Sequence, residues 1–173
     1  TRAAAPLIFT AHRDMEIVTY VLQGSLQHRD SMGNGSIIRP GEIQRMSAGT
    51  GIRHSEFNAS KEALVHLLQI WIVPDRRGVA PRYQQVHFDA SEKRGRLRLI
   101  ISPDSAEGSL NVYQDVRVYA GLFDGEESSE LALAHDRYAY VHVARGSLEV
   151  NGMRLHAGDG ARVRQEIGLR FGK

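Results

Sequence analysis

The sequence predicts an all-β protein built as two similar antiparallel barrels packed together. Three observations carry that reading. Apolar runs are short and rich in β-branched residues, nearly all are bounded by Gly, Pro, Asn or Asp, and one hairpin-like stretch recurs in the second half. No window holds an apolar stripe at helical spacing long enough to compete.

In chain order, the expected strands are Glu16-Ile-Val-Thr-Tyr-Val-Leu22, Ser36-Ile-Ile38, residues 64–73 and Arg96-Leu-Arg-Leu-Ile-Ile101. They are followed by Val116-Arg-Val-Tyr119, Tyr138-Ala-Tyr-Val-His-Val143 and Ser147-Leu-Glu-Val150. Residues 96–101 alternate polar with apolar before ending in Ile-Ile, and residues 147–150 alternate likewise, so each should have one wet and one buried face. Tyr20-Val-Leu-Gln-Gly-Ser-Leu-Gln27 is echoed by Val143-Ala-Arg-Gly-Ser-Leu-Glu149. Each copy runs through an Asn-Gly pair, Asn34-Gly35 or Asn151-Gly152, to a Gly followed by an acid, Gly41-Glu42 or Gly158-Asp159. Asn-Gly between strands favours a two-residue hairpin turn, because both residues tolerate positive φ. The expected organisation is a first barrel over residues 1–74, a polar, irregular crossover over 75–95 and a second barrel over 96–173.

At 173 residues the chain can bury a substantial core. It contains no cysteine, which excludes disulfides, thiolate metal sites and cysteine nucleophiles, so any metal must sit on imidazole and carboxylate. Lys and Arg number 22 against 20 Asp and Glu and are scattered, which argues against a nucleic-acid footprint. Apolar stretches fall far short of the roughly 20 residues that cross a bilayer, and the start lacks a signal-peptide layout. A cytoplasmic location is expected, and the missing cysteines are compatible with a reducing compartment.

Side chains with metal-ligand chemistry concentrate in the first half. His54 and Glu56 are two residues apart, so on a strand both point to one face, which in a small barrel can be the interior. An inward carboxylate costs several kcal/mol to desolvate without a compensating charge, roughly as for any buried ion, and a divalent cation would supply that charge. For an arbitrary His-x-Glu, a hydrogen-bonded pair at a barrel mouth is the commoner arrangement. Here Gly49-Thr-Gly51 precedes the pair and Asn58 follows it, giving a G-x-x-H-x-x-x-N frame similar to the second metal motif of the cupins. His135, His142 and His156 in the second half have no such frame. The halves are therefore expected to be unequal, one functional and one structural.

Three separated motifs resemble the signature of the pirin family of cupins: His12-Arg-Asp-Met-Glu-Ile-Val-Thr-Tyr-Val-Leu-Gln-Gly24, His28-Arg-Asp-Ser-Met-Gly-Asn34 and Met46-Ser-Ala-Gly-Thr-Gly-Ile-Arg-His-Ser-Glu56. The likeness continues through Gln69-Ile-Trp-Ile72, Pro81-Arg-Tyr83 and Ser109-Leu110 into the second-half hairpin, covering almost the whole chain. The resemblance implies two antiparallel cupin (jelly-roll) barrels, the N-terminal one binding a metal through an H-P-H segment and an H-S-E segment. By position His12 is the second His of the first segment, and His54 and Glu56 match the other two ligands. Thr10-Ala-His12 stands where the family has His-Pro-His, so either three side chains plus water would hold the ion, or the sequence is incomplete or misread just before His12. Pirin-like chains also carry strands upstream and a final strand downstream that are largely absent from this sequence. Two neutral imidazoles and a carboxylate suit iron above all, and also manganese, nickel, copper or zinc.

Other polar residues receive plainer readings. Glu16 is expected near the rim or behind the ligands. His28 is read as an interior or strand-surface hydrogen bonder in preference to a ligand. His66 is expected to be a satisfied core histidine, and Arg53 to face the barrel exterior. Two activities follow from the resemblance. One is a metal-dependent dioxygenase similar to quercetin 2,3-dioxygenase, opening a small aromatic, flavonol-type substrate with O2, with Glu56 as general base. The other is a non-enzymatic, metal-dependent regulator with a protein partner, a transcription factor or a metabolic enzyme. The first is preferred.

Overall fold

The computed structural model describes residues 10–172, and it is almost entirely β. The strands run β1 (Thr10–His12), β2 (Glu16–Gln23), β3 (Leu26–Asp30), β4 (Gly35–Ile38), β5 (Glu42–Ser47), β6 (Ile52–Asn58), β7 (His66–Ile72) and β8 (Arg82–His87). After a one-turn helix, α1 (Ala90–Lys93), come β9 (Leu97–Ser102), β10 (Leu110–Asn111), β11 (Val118–Gly121), β12 (Ser129–Ala132) and β13 (Ala139–His142). The last four are β14 (Ser147–Val150), β15 (Met153–His156), β16 (Gly160–Val163) and β17 (Gly168–Gly172). Among the described residues no helix is long and apolar enough to cross a membrane.

Two compact units emerge: one takes the chain up to Asp89 together with Leu99–Val118, the other Ala90–Arg98 together with the residues from Tyr119 onward. The expected crossover over 75–95 is only partly irregular. Its residues 82–87 form β8, which pairs antiparallel with β5 from Glu42↔His87 to Ser47↔Arg82. Tyr83 and Val86 carry enough β propensity for a strand once β5 offers an edge, a tertiary contribution that the local polar sequence conceals.

The first unit holds a pair of four-stranded sheets, ordered β1-β6-β3-β4 and β7-β2-β5-β8, together with β10 and most of β9, which pair with each other. β2 lies between β5 and β7, so both of its edges are paired, and successive residues Glu16, Ile17, Val18 and Thr19 are all buried, so both of its faces are covered as well. That is why its sequence reads as a near-continuous apolar run. Ile17 and Met46 of one sheet pack with Ile52 of the other, and Val21 packs with Leu26 and Ile38. These contacts close the two sheets into a barrel-like sandwich whose interior is apolar at two places and polar between them.

The second unit holds a four-stranded sheet, β12-β17-β14-β15, and a two-stranded pair, β13-β16. Val143, Val150, Leu155, Leu169 and Phe171 form its core, with Phe123 stacked on Phe171 at 6.2 Å between ring centroids. The alternation expected in residues 147–150 belongs to this sheet, where Leu148 lies opposite Leu155 and Glu149 opposite Arg154.

Only one of the two Asn-Gly pairs makes the expected two-residue turn. Asn151 and Gly152 adopt φ of 48° and 81° and join β14 to β15 directly. Asn34 and Gly35 have no positive φ; the first hairpin instead loops through residues 31–34, with Gly33 at φ 92°. The Asp30 carboxylate organises this loop by accepting from the backbone N–H of Met32 (2.9 Å), the backbone N–H of Asn34 (3.0 Å) and the Asn34 side-chain amide (2.8 Å). A short carboxylate reaching its own backbone two and four residues on offers a turn that competes with the Asn-Gly one.

Candidate metal centre

The site is built on β6, and a tight turn launches that strand. At Gly49 (φ 47°) an added Cβ would run into the Val79 carbonyl oxygen, so no larger residue fits. The turn is held by Thr50 N–H donating to that carbonyl and Gly51 N–H donating to Ala48, both at 2.9 Å. Beyond it the period of two takes over: Ile52, His54 and Glu56 face inward, while Arg53 is exposed on the other side. This matches the sequence expectation for His54, Glu56 and Arg53.

Two strands flank β6. On one side β1 places Thr10 opposite His54 and His12 opposite Ile52. On the other, β3 places Asp30 opposite His54 and His28 opposite Glu56. Cross-strand neighbours on one face approach closely, and a cluster results. His28, His54 and Glu56 each offer a ligand atom, and these atoms lie within 4.8 Å of one another. Glu56 Oε1 is 3.7 Å from Nδ1 of His28 and 3.7 Å from Nδ1 of His54. The His12 ring stands beside this group, its centroid 5.0 Å from that of His54, and Trp71 meets His12 edge-on at 5.0 Å.

Hydrogen bonding within the cluster is incomplete. His54 is 3% exposed, yet among the described residues neither ring nitrogen has a hydrogen-bond partner, and Glu56 Oε1 has none either. Orphaned polar atoms inside a protein are costly and call for a missing partner. Three lone-pair-bearing atoms converging on one space are an arrangement that a cation would satisfy. Burial pushes the His54 and His12 imidazoles below their ordinary pKa, against the opposing pull of Glu56, so both rings keep their lone pairs at neutral pH. The donor set therefore fits a divalent transition ion.

The remaining contacts orient these groups. Glu56 Oε2 accepts from the Gln69 amide at 2.9 Å, and Gln69 Oε1 accepts from the Trp71 indole at 3.1 Å. Gln69 and Trp71 occupy the β7 positions opposite Thr19 and Ile17, on the inward side, yet both are exposed, so the cluster opens to solvent past them. On the closed side His28 is fully buried between Gln44, whose amide lies 3.2 Å from Nδ1, and Asp30, whose Oδ2 lies 3.3 Å from Nε2. Burial works to raise the Asp30 carboxyl, but the hydrogen bonds from Asn34, His28 and Met32 outweigh it and hold the pKa below the ordinary value.

His28 is the interior hydrogen bonder that was expected, and it also lies within reach of His54 and Glu56, a juxtaposition that spacing could not show because Glu56 is on a different strand. Two other sequence readings change. Glu16 is not at the rim. It lies on the opposite face of β2 from Ile17, where Ser47 Oγ donates to its Oε2 at 2.8 Å and Arg45 donates to Ser47 at 2.9 Å. Burial raises the Glu16 carboxyl despite those contacts. His66 is exposed at the start of β7, not in the core, because β2 carries a bulge between Val21 and Gln23 where His66 pairs. Asn58 closes a turn, accepting from Ser60 N–H at 3.0 Å and donating to the Ala63 carbonyl at 2.6 Å, so it frames the strand without entering the cluster.

Comparison with known proteins agrees over both halves. The family model described as Pirin matches residues 5–72, and one described as the quercetinase C-terminal cupin domain matches residues 99–172. A quercetin 2,3-dioxygenase of Escherichia coli is 44% identical over 155 residues, covering 90% of this chain and 66% of that protein. A putative quercetin 2,3-dioxygenase of Pseudomonas aeruginosa is 45% identical over 160 residues, covering 92% of this chain and 68% of the relative. This chain thus spans about two thirds of the length of these relatives. Among solved structures, the bacterial pirin YhhW of Escherichia coli in complex with nickel(II) superposes with a TM-score of 0.90 at 40% identity, over 99% of this chain and 72% of that one.

Proposed function

This chain belongs to the pirin family of cupins, and on that premise we propose that it is a metal-dependent dioxygenase of the quercetin 2,3-dioxygenase kind, acting on a flavonol-type aromatic with O2. The observation that carries the reading is the buried trio of atoms without a hydrogen-bond partner among the described residues, both ring nitrogens of His54 and Oε1 of Glu56, in the interior of the first unit. His54 and Glu56, with His12 beside them, would hold the ion. Iron is the expected metal, and manganese, nickel, copper and zinc suit the same donors. When bound, the metal supplies Lewis acidity that lowers the pKa of the flavonol 3-hydroxyl and orients the resulting anion. The overall reaction so proposed would add both atoms of O2 to the flavonol and release one carbon of the central ring as carbon monoxide.

The protein's own groups prepare that reaction. The Gln69 amide donates to Oε2 of Glu56, which leaves Oε1 turned toward the imidazoles as the metal-facing atom, and the carboxylate would accept the hydroxyl proton as general base. His54 and His12, kept neutral by burial, present lone pairs and do not compete for that proton. Trp71, held edge-on to His12 and hydrogen-bonded to Gln69, borders the open side with an aromatic surface suited to a flat ring system.

The test is to load the chain with iron, measure metal content, and follow loss of quercetin absorbance together with oxygen uptake for wild type and His54→Ala. Matched flavonol loss and O2 uptake that vanish in the variant are expected. A metal-loaded protein that consumes no oxygen would overturn the dioxygenase reading and leave a metal-dependent regulator. Activity that survives His54→Ala would place the chemistry elsewhere.

A further inference from the structure

We propose that His28, oriented by Asp30, is itself a metal ligand in this chain and takes the place of the imidazole that position 10 lacks. The inference rests on the metal-site reading above and adds a fourth protein donor to it.

The strand register is the starting point. β6 is flanked by β1 and β3, and a ligand to join His54 and Glu56 can come from either side. On the β1 side the residue directly opposite His54 is Thr10, whose hydroxyl is a poor donor beside an imidazole. On the β3 side the residue directly opposite Glu56 is His28, fully buried, with Nδ1 3.7 Å from Glu56 Oε1 and its ring centroid 5.5 Å from that of His54.

The tautomer of His28 follows from its partners. The Asp30 carboxylate has no proton to give and already accepts from the backbone of Met32 and from Asn34, so the ring must donate Nε2–H to Oδ2. Nδ1 then carries the lone pair, and it points into the space shared with Glu56 Oε1. Two acceptors facing each other in a buried site are unfavourable unless a positive group lies between them. Nδ1 accepts a hydrogen bond from the Gln44 amide at 3.2 Å, which a bond to the metal would replace; Gln44 Oε1 is buried without a hydrogen-bond partner among the described residues, so it does not hold that amide against turning away. A ring nitrogen facing the metal while the opposite one donates to a carboxylate is the arrangement that fixes ligating histidines in general. Asp30 in turn is locked by the 31–34 loop, which explains why the first hairpin abandons the Asn-Gly turn.

The distances suit coordination. Bonds of about 2.1 Å to nitrogen and oxygen set neighbouring donors about 3.0–3.4 Å apart. The 3.7 Å separations from Glu56 Oε1 to the two imidazoles therefore require shifts of only a few tenths of an ångström, as a rough geometric estimate from those bond lengths.

The experiment labels the histidines of the full chain with 15N, adds zinc(II), and records long-range proton–nitrogen spectra, alongside nickel(II) affinities by chelator competition. The expected result is a metal-bound Nδ1 signal from His28 with its Nε2 still protonated, and nickel affinity lowered about 100-fold or more in His28→Gln. Restoring an imidazole with Thr10→His should recover most of that affinity in the His28→Gln background. A wild-type chain that binds metal while the His28 ring signals stay unchanged overturns this inference and leaves the metal site of His12, His54 and Glu56 standing. A wild-type chain that binds neither ion overturns both. The wild-type spectrum decides the matter even if the variant folds poorly.

Discussion

Two hairpins that begin with nearly the same sequence end in opposite chemistry. Gly24-Ser-Leu-Gln-His28 in the first unit corresponds to Gly146-Ser-Leu-Glu-Val150 in the second. Each places its final residue in an interior. Val150 joins Leu169, Phe171, Leu155 and Val143 in an apolar core, whereas His28 meets Gln44, Asp30 and Glu56. The loops diverge in step: Asn151-Gly152 makes a two-residue turn by backbone conformation alone, while Asp30 uses its side chain to wrap residues 31–34 and to hold His28. One scaffold serves two ends. An apolar residue at this position packs into a core; a histidine there is surrounded by polar partners instead.

The contrast can be broken in four places, with effects of decreasing size. Truncating the stacked aromatic in Phe171→Ala should cost about 3–5 kcal/mol in urea unfolding, as for other buried aromatics. A loss of under about 1 kcal/mol would show that the second unit is not held by this core. Metal should act on the other unit. Nickel(II) at 100 times its dissociation constant should stabilise the protein by about 2.7 kcal/mol, with EDTA reversing the gain. Hydrogen exchange should locate that protection in β3 and β6, and protection confined to the second unit would contradict the assignment.

Acid gives the third test. The native pKa values of His12 and His54 lie below the ordinary 6.5, so just under pH 6.5 the unfolded chain binds protons that the folded chain refuses. Stability of the metal-free protein is then full above pH 6.5 and is lost as pH falls through the depressed native values. Denaturation midpoints measured from pH 7.5 to 5 should fall more steeply for wild type than for His54→Phe, and parallel curves would rule out this contribution. The smallest effect separates the two Asn-Gly pairs. Gly152→Ala forces an alanine to φ 81° and should cost about 1–2 kcal/mol, while Gly35→Ala, at ordinary φ with open space around it, should leave the melting temperature nearly unchanged.

The strands were legible because their signals are local. Period-two alternation, β-branched runs and turn residues depend on near neighbours, which is why Glu16–Gln23, Ser147–Val150 and the His54/Glu56 face were readable along the chain. Residues 82–87 were harder, since Arg82-Tyr-Gln-Gln-Val-His87 becomes a strand only by pairing with β5. His66 misled for a related reason: its apolar neighbours suggested burial, and a bulge on the partner strand decided otherwise.

By itself the sequence determined the all-β architecture, the family and the pairing of His54 with Glu56, because each rests on residues close together in the chain or on motifs matched in order. Only the tertiary structure decided what surrounds that pair. The register of β3 on β6 sets His28 opposite Glu56 and Asp30 opposite His54, and the sheet-to-sheet packing brings Gln44 onto the same ring. Those partners come from strands whose alignment is set by the barrel as a whole, since a slip of one residue would turn every one of them to the other face.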